Sequence, residues 1–253
     1  MCIHPITDDC NKHLLRSKQK IYRYMPLMYL LEMLVKKQIR FNNVLSWKDP
    51  YENYLSKHNY HKNQKKVDVR IFAKSFFGIC WTTAEESELM WNTYRSKYDK
   101  DIVLKIESTV GKIVDICLDD KGANGGNKAF YYGYEIKYLS QEQMVTNLKD
   151  SYEFQDFYDV YLKYLFLKRD PYKDEQEYRF IAQIQVNAPF QSMPDYVQIP
   201  FSNCFIDKIV IDPITSDIDV AYARKVISMI KNNITIEKSG LYSVLPIKNI
   251  EIV

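Results

Sequence analysis

The 253-residue chain is long enough for one large domain or two small ones, and its 46% hydrophobic and 26% charged residues are those of a soluble globular protein. A net charge of +3 is compatible with an anionic ligand but falls far short of a nucleic-acid footprint by itself. The five cysteines (Cys2, Cys10, Cys80, Cys117 and Cys204) show no C-x-x-C and no Cys/His ligand spacing, which argues against a zinc site.

No charged leader with an apolar core is present, and no apolar run approaches the ~18 residues of a membrane span. A reduced, cytoplasmic setting without membrane association is therefore expected. The aromatic fraction is high at 14%, with 21 tyrosines. Tyrosine suits half-buried strands, grooves and interfaces alike.

In chain order, residues 1–18 read as a loosely attached polar arm, and 19–253 as a single α+β domain with no repeat and no linker. Ile21–Tyr24 reads as a strand. Pro26 opens a helix, Leu27–Lys37, with Leu27, Leu30, Leu31, Leu34 and Val35 on its apolar stripe. A strand at Gln38–Asn42 precedes Trp47-Lys-Asp-Pro-Tyr-Glu52, where Asp-Pro signals a turn. Residues 52–75 read as polar helix around a basic loop, His58–Lys66, which is either a solvated loop or a surface that contacts phosphate. Phe76–Trp81 reads as a buried strand, and Thr83-Ala-Glu-Glu86 as a capping box for the helix carrying Met90, Trp91 and Tyr94.

A strand at Asp101–Glu107 follows, and residues 108–120 fit helix or strand. The glycine-rich Lys121–Asn127 reads as a loop tip without phosphate-cradling spacing. Tyr131–Tyr138 is β-like. A long helix is expected over Gln141–Leu167, with Phe154, Tyr158, Tyr161, Leu162 and Leu165 as its core stripe. Strands near Tyr196–Pro200 and Ile206–Ile211, and a helix near Ser216–Lys231, complete the pattern. The fold class that results is α+β, with mixed, mainly antiparallel sheets and flanking helices.

The chemistry concentrates in Lys168–Val186. Asp174, Glu175, Glu177 and Arg179 fall just before and into a strand whose alternation puts Tyr178, Phe180, Ala182 and Ile184 on one face. In an extended chain Glu177 lies beside Glu175 or beside Arg179, so the cluster is either an ion pair or a site. His4, His13, His58 and His61 all sit in polar surroundings, and none is a good candidate for a buried general base. An enzyme here would work with carboxylates, arginine, hydroxyls and aromatics. That set suits stabilising an oxocarbenium-like centre while a glycosidic bond breaks. A metal-assisted hydrolase using Asp174, Glu175 and Glu177 finds no further ligand pattern.

Five blocks stand in order: Tyr22-Arg-Tyr24, Trp47-Lys-Asp-Pro-Tyr-Glu52, Cys80-Trp-Thr82, Met90-Trp-Asn-Thr-Tyr94 and Asp174-Glu-Gln-Glu-Tyr-Arg179. They resemble a family of uncharacterised bacterial domains over about residues 20–212, with Lys48 and Asp174 departing from its usual pattern. More distantly the order is similar to that of ADP-ribosyltransferases. That resemblance implies a split β core, NAD as substrate, no metal, and a protein or nucleic-acid acceptor, in a toxin or anti-phage setting.

It implies Glu177 as the catalytic carboxylate, with Glu175 orienting or activating the acceptor. It puts Arg23 on the pyrophosphate and Thr82 or Thr83 near the nicotinamide ribose. Tyr24, Asp49, Tyr94 and Arg179 would complete the cofactor site. The alternative is a non-catalytic module binding a nucleotide, a nucleic acid or a protein.

Overall fold

The computed structural model describes residues 4–6, 17–52, 54–57, 60–62, 65–67, 69–98, 101–120, 129–152, 157–185 and 193–243. The elements run β1 (Lys20–Pro26), α1 (Leu27–Lys36), β2 (Gln38–Asn43), α2 (Tyr54–Lys57), β3 (Tyr60–Lys62), β4 (Lys65–Val67), α3 (Val69–Ala73), β5 (Phe76–Thr82), α4 (Glu88–Lys97), β6 (Val103–Thr109) and α5 (Val110–Asp119). They continue with β7 (Ala129–Glu135), β8 (Lys137–Leu139), α6 (Gln141–Tyr152), α7 (Phe157–Tyr164), β9 (Leu167–Arg169), β10 (Glu177–Ile184), β11 (Tyr196–Pro200), β12 (Lys208–Ile211), α8 (Asp217–Ile230) and β13 (Thr235–Lys238). Short 3-10 turns occupy Val44–Ser46 and Asp170–Glu175. The architecture is α+β with a mostly antiparallel sheet and flanking helices, as the sequence pattern predicts.

Two compact units are distinguished. The first comprises Met1–Arg23, Lys36–Glu85 and Ser108–Phe205; the second comprises Tyr24–Val35, Glu86–Glu107 and Ile206–Val253.

In the first unit, β5 is the central strand. One of its edges pairs with β10 along its length, from Glu177 opposite Thr82 to Gln183 opposite Phe76. Its other edge is shared: Tyr22 of β1 lies opposite Thr82, while Asn42 and Asn43 of β2 lie opposite Gly78 and Phe77. β7 covers the outer edge of β10, and β11 that of β2. Burial of β10 runs unbroken from Glu177 to Ala182, so both of its faces are covered, not only the apolar one. Ile6 of the expected arm donates its N–H to the Tyr131 carbonyl at 2.6 Å.

The long helix expected over 141–167 is two helices, α6 and α7. Tyr161, Leu162 and Leu165 are buried with Phe76 and Ile181 as expected, while Phe154 and the Tyr158 side chain lie outside the described residues. So do the glycine-rich 121–127 stretch and residues 58, 59, 63 and 64 of the basic 58–66 stretch, whose described parts, in β3 and β4, pair antiparallel.

In the second unit, β6 pairs antiparallel with β12, and β12 pairs parallel with β13. A parallel pair needs a crossover, which α8 provides. α1 buries Leu27, Leu30, Met33 and Leu34; Val35, expected on that stripe, is exposed. α4 is capped by Ser87, whose hydroxyl accepts from the Met90 N–H at 3.2 Å, so the capping box expected at Thr83 is not used. Among the described residues, no helix is long and apolar enough to cross a membrane, and no three or more His, Cys, Asp or Glu residues gather as a metal site.

Candidate functional site

Glu177 opens β10, and Arg179 follows it on the same face of the strand. Glu177 is 5% exposed and Arg179 1% exposed. Buried charges of this kind persist only when paired and hydrogen-bonded. The Arg179 Nε and Nη2 sit 2.9 and 2.8 Å from Glu177 Oε1. Its Nη2 also donates to Glu52 Oε1 at 2.6 Å, and its Nη1 to the Leu165 carbonyl. The guanidinium lies 4.0 Å from the Trp47 ring centroid, a cation–π contact.

The other oxygen of Glu177 accepts from Lys168 Nζ at 3.0 Å. The same ammonium donates to Glu175 Oε2 at 2.6 Å and stands 3.7 Å from Glu52 Oε1. Of the two neighbours that an extended chain allows, Glu177 therefore contacts Arg179 directly and meets Glu175 only through Lys168. The reason is Gln176, whose φ of 41° is left-handed and ends the 3-10 turn, so Glu175 leaves the line of the strand.

The segment is latched to β5 through its backbone. The Thr82 hydroxyl donates to the Glu175 carbonyl at 2.6 Å and accepts from the Ala84 N–H at 3.0 Å. The Thr83 N–H and hydroxyl donate to the Gln176 carbonyl at 2.8 and 3.1 Å. The Glu177 N–H donates to the Tyr138 hydroxyl at 2.8 Å.

At the rim, Arg169 Nη2 donates to Asp49 Oδ1 at 3.0 Å and its guanidinium lies 4.4 Å from the Tyr51 ring. Asp49 also accepts from the Tyr51 N–H at 2.9 Å, which closes the Asp-Pro turn. Among the described residues, the cluster thus holds four carboxylates (Asp49, Glu52, Glu175 and Glu177) against three cations (Lys168, Arg169 and Arg179).

The two central carboxylates differ in character. Burial works against the charge of Glu177, but Arg179 and Lys168 outweigh it and hold the carboxyl at about 2. Burial pushes Glu175 above the usual range, with Lys168 only partly opposing, and 36% of its side chain remains exposed. Burial also opposes the Lys168 charge, yet Glu177, Glu52 and Glu175 raise its ammonium well above the ordinary value. Burial and Glu177 push the neighbouring Cys80 thiol up, so it stays protonated.

Tyr22, Thr82 and Glu177 form one register row across β1, β5 and β10. Arg23, one residue beyond Tyr22, alternates to the other face of β1 and is half-buried. Tyr24 and Tyr94 belong to the second unit, where they stack at 5.4 Å between centroids and Trp91 meets Tyr24 edge-on at 4.7 Å. Sequence reasoning singled out the Trp47–Glu52 block and the Lys168–Val186 stretch but assigned no site role to Lys168, Glu52, Trp47, Arg169 or Tyr138. Glu52 and Trp47 bound the Asp-Pro block, and Lys168-Arg169 opens the acidic stretch, so their proximity to motifs was the available signal.

No family model and no curated protein matches the sequence. Among solved structures, DarT of Thermus sp. 2.9 in complex with ADP-ribosylated ssDNA aligns at 9% identity and a TM-score of 0.40, covering 87% of this chain and 94% of that one. The same DarT with NAD+ aligns at 10% identity and 0.37, covering 87% and 95%, and with carba-NAD+ at 10% and 0.38, covering 87% and 94%.

Proposed function

We propose that the chain is an NAD-consuming enzyme of the ADP-ribosyltransferase type, which breaks the bond between nicotinamide and ribose. The observation that carries the reading is the division of labour between two adjacent carboxylates. Glu177 is buried and ionised at every physiological pH. A fixed anion in a poorly solvated place stabilises a developing oxocarbenium charge without reorganising. Glu175 is partly exposed with a raised pKa, which suits taking a proton from the acceptor.

Two carboxylates pushed apart in this way are the pattern expected where one stabilises charge and the other moves a proton. The proposal rests on Glu177 and Glu175 with Lys168 and Arg179 holding them. It leaves Arg23 outside, because alternation puts that residue on the opposite face of its strand. The acceptor is a protein, a nucleic acid or water, and a toxin or defence role fits consumption of NAD.

The test follows nicotinamide release from NAD with and without acceptors. Glu177→Gln is expected to lower the rate roughly 10²- to 10³-fold, the loss typical of one electrostatic group acting in the transition state. Glu175→Gln is expected to impair transfer while slow hydrolysis persists. Full activity in Glu177→Gln sinks the proposal.

A second reading has its own observation: both oxygens of Glu177 are already engaged by Arg179 and Lys168. In that reading the cluster is an internal clamp of a binding module. It predicts a stability loss in Glu177→Gln and no NAD turnover by the parent protein.

A further inference from the structure

We infer that the outer face of α8 is a self-association surface, on which two copies of this chain pair helix against antiparallel helix.

The helix carries two apolar stripes, not one. Val220, Ala223 and Ile227 are buried. Ile218, Tyr222 and Met229 are 82%, 55% and 78% exposed. At about 100° per residue, Tyr222 and Met229 fall within about 40° of Ile218, while Val220, Ala223 and Ile227 fall about 140–200° away. The exposed stripe is therefore diametrically opposite the face the second unit already uses. Ala221 and Lys225 complete it, and both are exposed. Scattered surface hydrophobics need no explanation, but an aligned stripe of large ones on a helix is an interaction feature.

The occupant is indicated by the symmetry of the stripe. Reversing the helix about its middle places Ile218 against Met229 of the other copy, and Tyr222 against Lys225. The first pair is apolar on apolar; the second sets an ammonium over an aromatic ring. An isologous two-fold contact requires this self-complementarity.

Antiparallel pairing also opposes the two helix dipoles, whereas parallel pairing would put like ends together. One 14-residue helix against another covers less than the ~800 Å² per partner of a standard interface, so a weak dimer with a dissociation constant of roughly 1–100 µM is expected.

The experiment is sedimentation equilibrium on the full chain, alone and in mixtures. The parent protein is expected to approach twice the chain mass on the order of 500 µM and to revert to monomer on the order of 0.1 µM. Ile218→Glu and Met229→Lys each place a charge on an exposed position, so the fold is retained, which circular dichroism checks. Each variant alone is expected to be monomeric throughout. An equimolar mixture of the two is expected to recover the dimer, since the carboxylate introduced in one copy then faces the ammonium introduced in the other. A parent protein that stays monomeric throughout that range overturns the proposal. So does a dimer indifferent to both variants, or a mixture that fails to recover.

Discussion

At the residue scale, the cluster around Arg179 makes opposite predictions for two carboxylates separated by a single residue. The pKa of Glu177 is depressed on folding from an ordinary 4.5 to about 2, so its contribution is fully present above 4.5 and is lost as the pH falls toward 2. Glu175 is raised on folding, so its ionisation opposes folding at neutral pH. Urea midpoints measured from pH 7 to pH 2 should therefore fall on the acid limb in the parent. That fall should flatten in Glu177→Gln, which is also less stable at pH 7. Glu175→Gln should be at least as stable as the parent at pH 7. Arg179→Met should be the most damaging change, by about 3–5 kcal/mol, because it leaves Glu177 and Glu52 buried against a single ammonium. A parent acid limb retained unchanged in Glu177→Gln would show that the low carboxyl pKa lies elsewhere.

At the scale of elements, the site depends on how closely the Asp-Pro turn approaches β5. A Cβ built on Gly78 would lie 2.5 Å from Trp47 Cζ2 and 3.0 Å from Ile181 Cδ1. Gly78 is therefore required for closeness, since only a bare backbone lets the indole lie against the strand and over Arg179. Gly78→Ala should push Trp47 off the guanidinium. It should cost about 1–3 kcal/mol by overpacking, and alter tryptophan fluorescence and near-ultraviolet dichroism. Unchanged spectra and stability would show that the contact is looser than the geometry implies.

Element positions were largely legible in the sequence because they rest on local pattern. The alternation at Tyr196–Pro200 and the apolar spacing of Asp217–Ile230 each placed an element to within a residue or so. The switch of cap from Thr83 to Ser87 was not legible, because a tertiary contact decides it. The Thr83 N–H and hydroxyl are taken by the Gln176 carbonyl, which commits that residue to the latch.

For the whole molecule, the α+β class followed from the order of the patterns, and Glu175 and Glu177 stood out as a pair. Arg179 stood out with them; the distant residues that complete the cluster did not. Glu52 reaches Arg179 across 127 positions, and Asp49 reaches Arg169 across 120. No periodicity encodes such a meeting; it arises from the register of β5 with β10 and from the turn that Gly78 admits. The reversal at Gln176 was equally hidden, since nothing in its chemistry calls for a left-handed backbone.

The surplus of one carboxylate over the cations has a consequence for inhibitor chemistry. Surroundings with matched charges would be indifferent to whether a five-membered ring carries a proton. Under the proposed NAD-consuming reading, the surplus favours a protonated pyrrolidine over its carbocyclic counterpart of the same shape. Competition against NAD should show the charged ring at least about tenfold tighter, equivalent to about 1.4 kcal/mol. The advantage should shrink in Glu175→Gln, where the surplus is gone. Equal potency of the two rings would mean that the local field is too well balanced to discriminate, and would redirect ligand design from charge to shape.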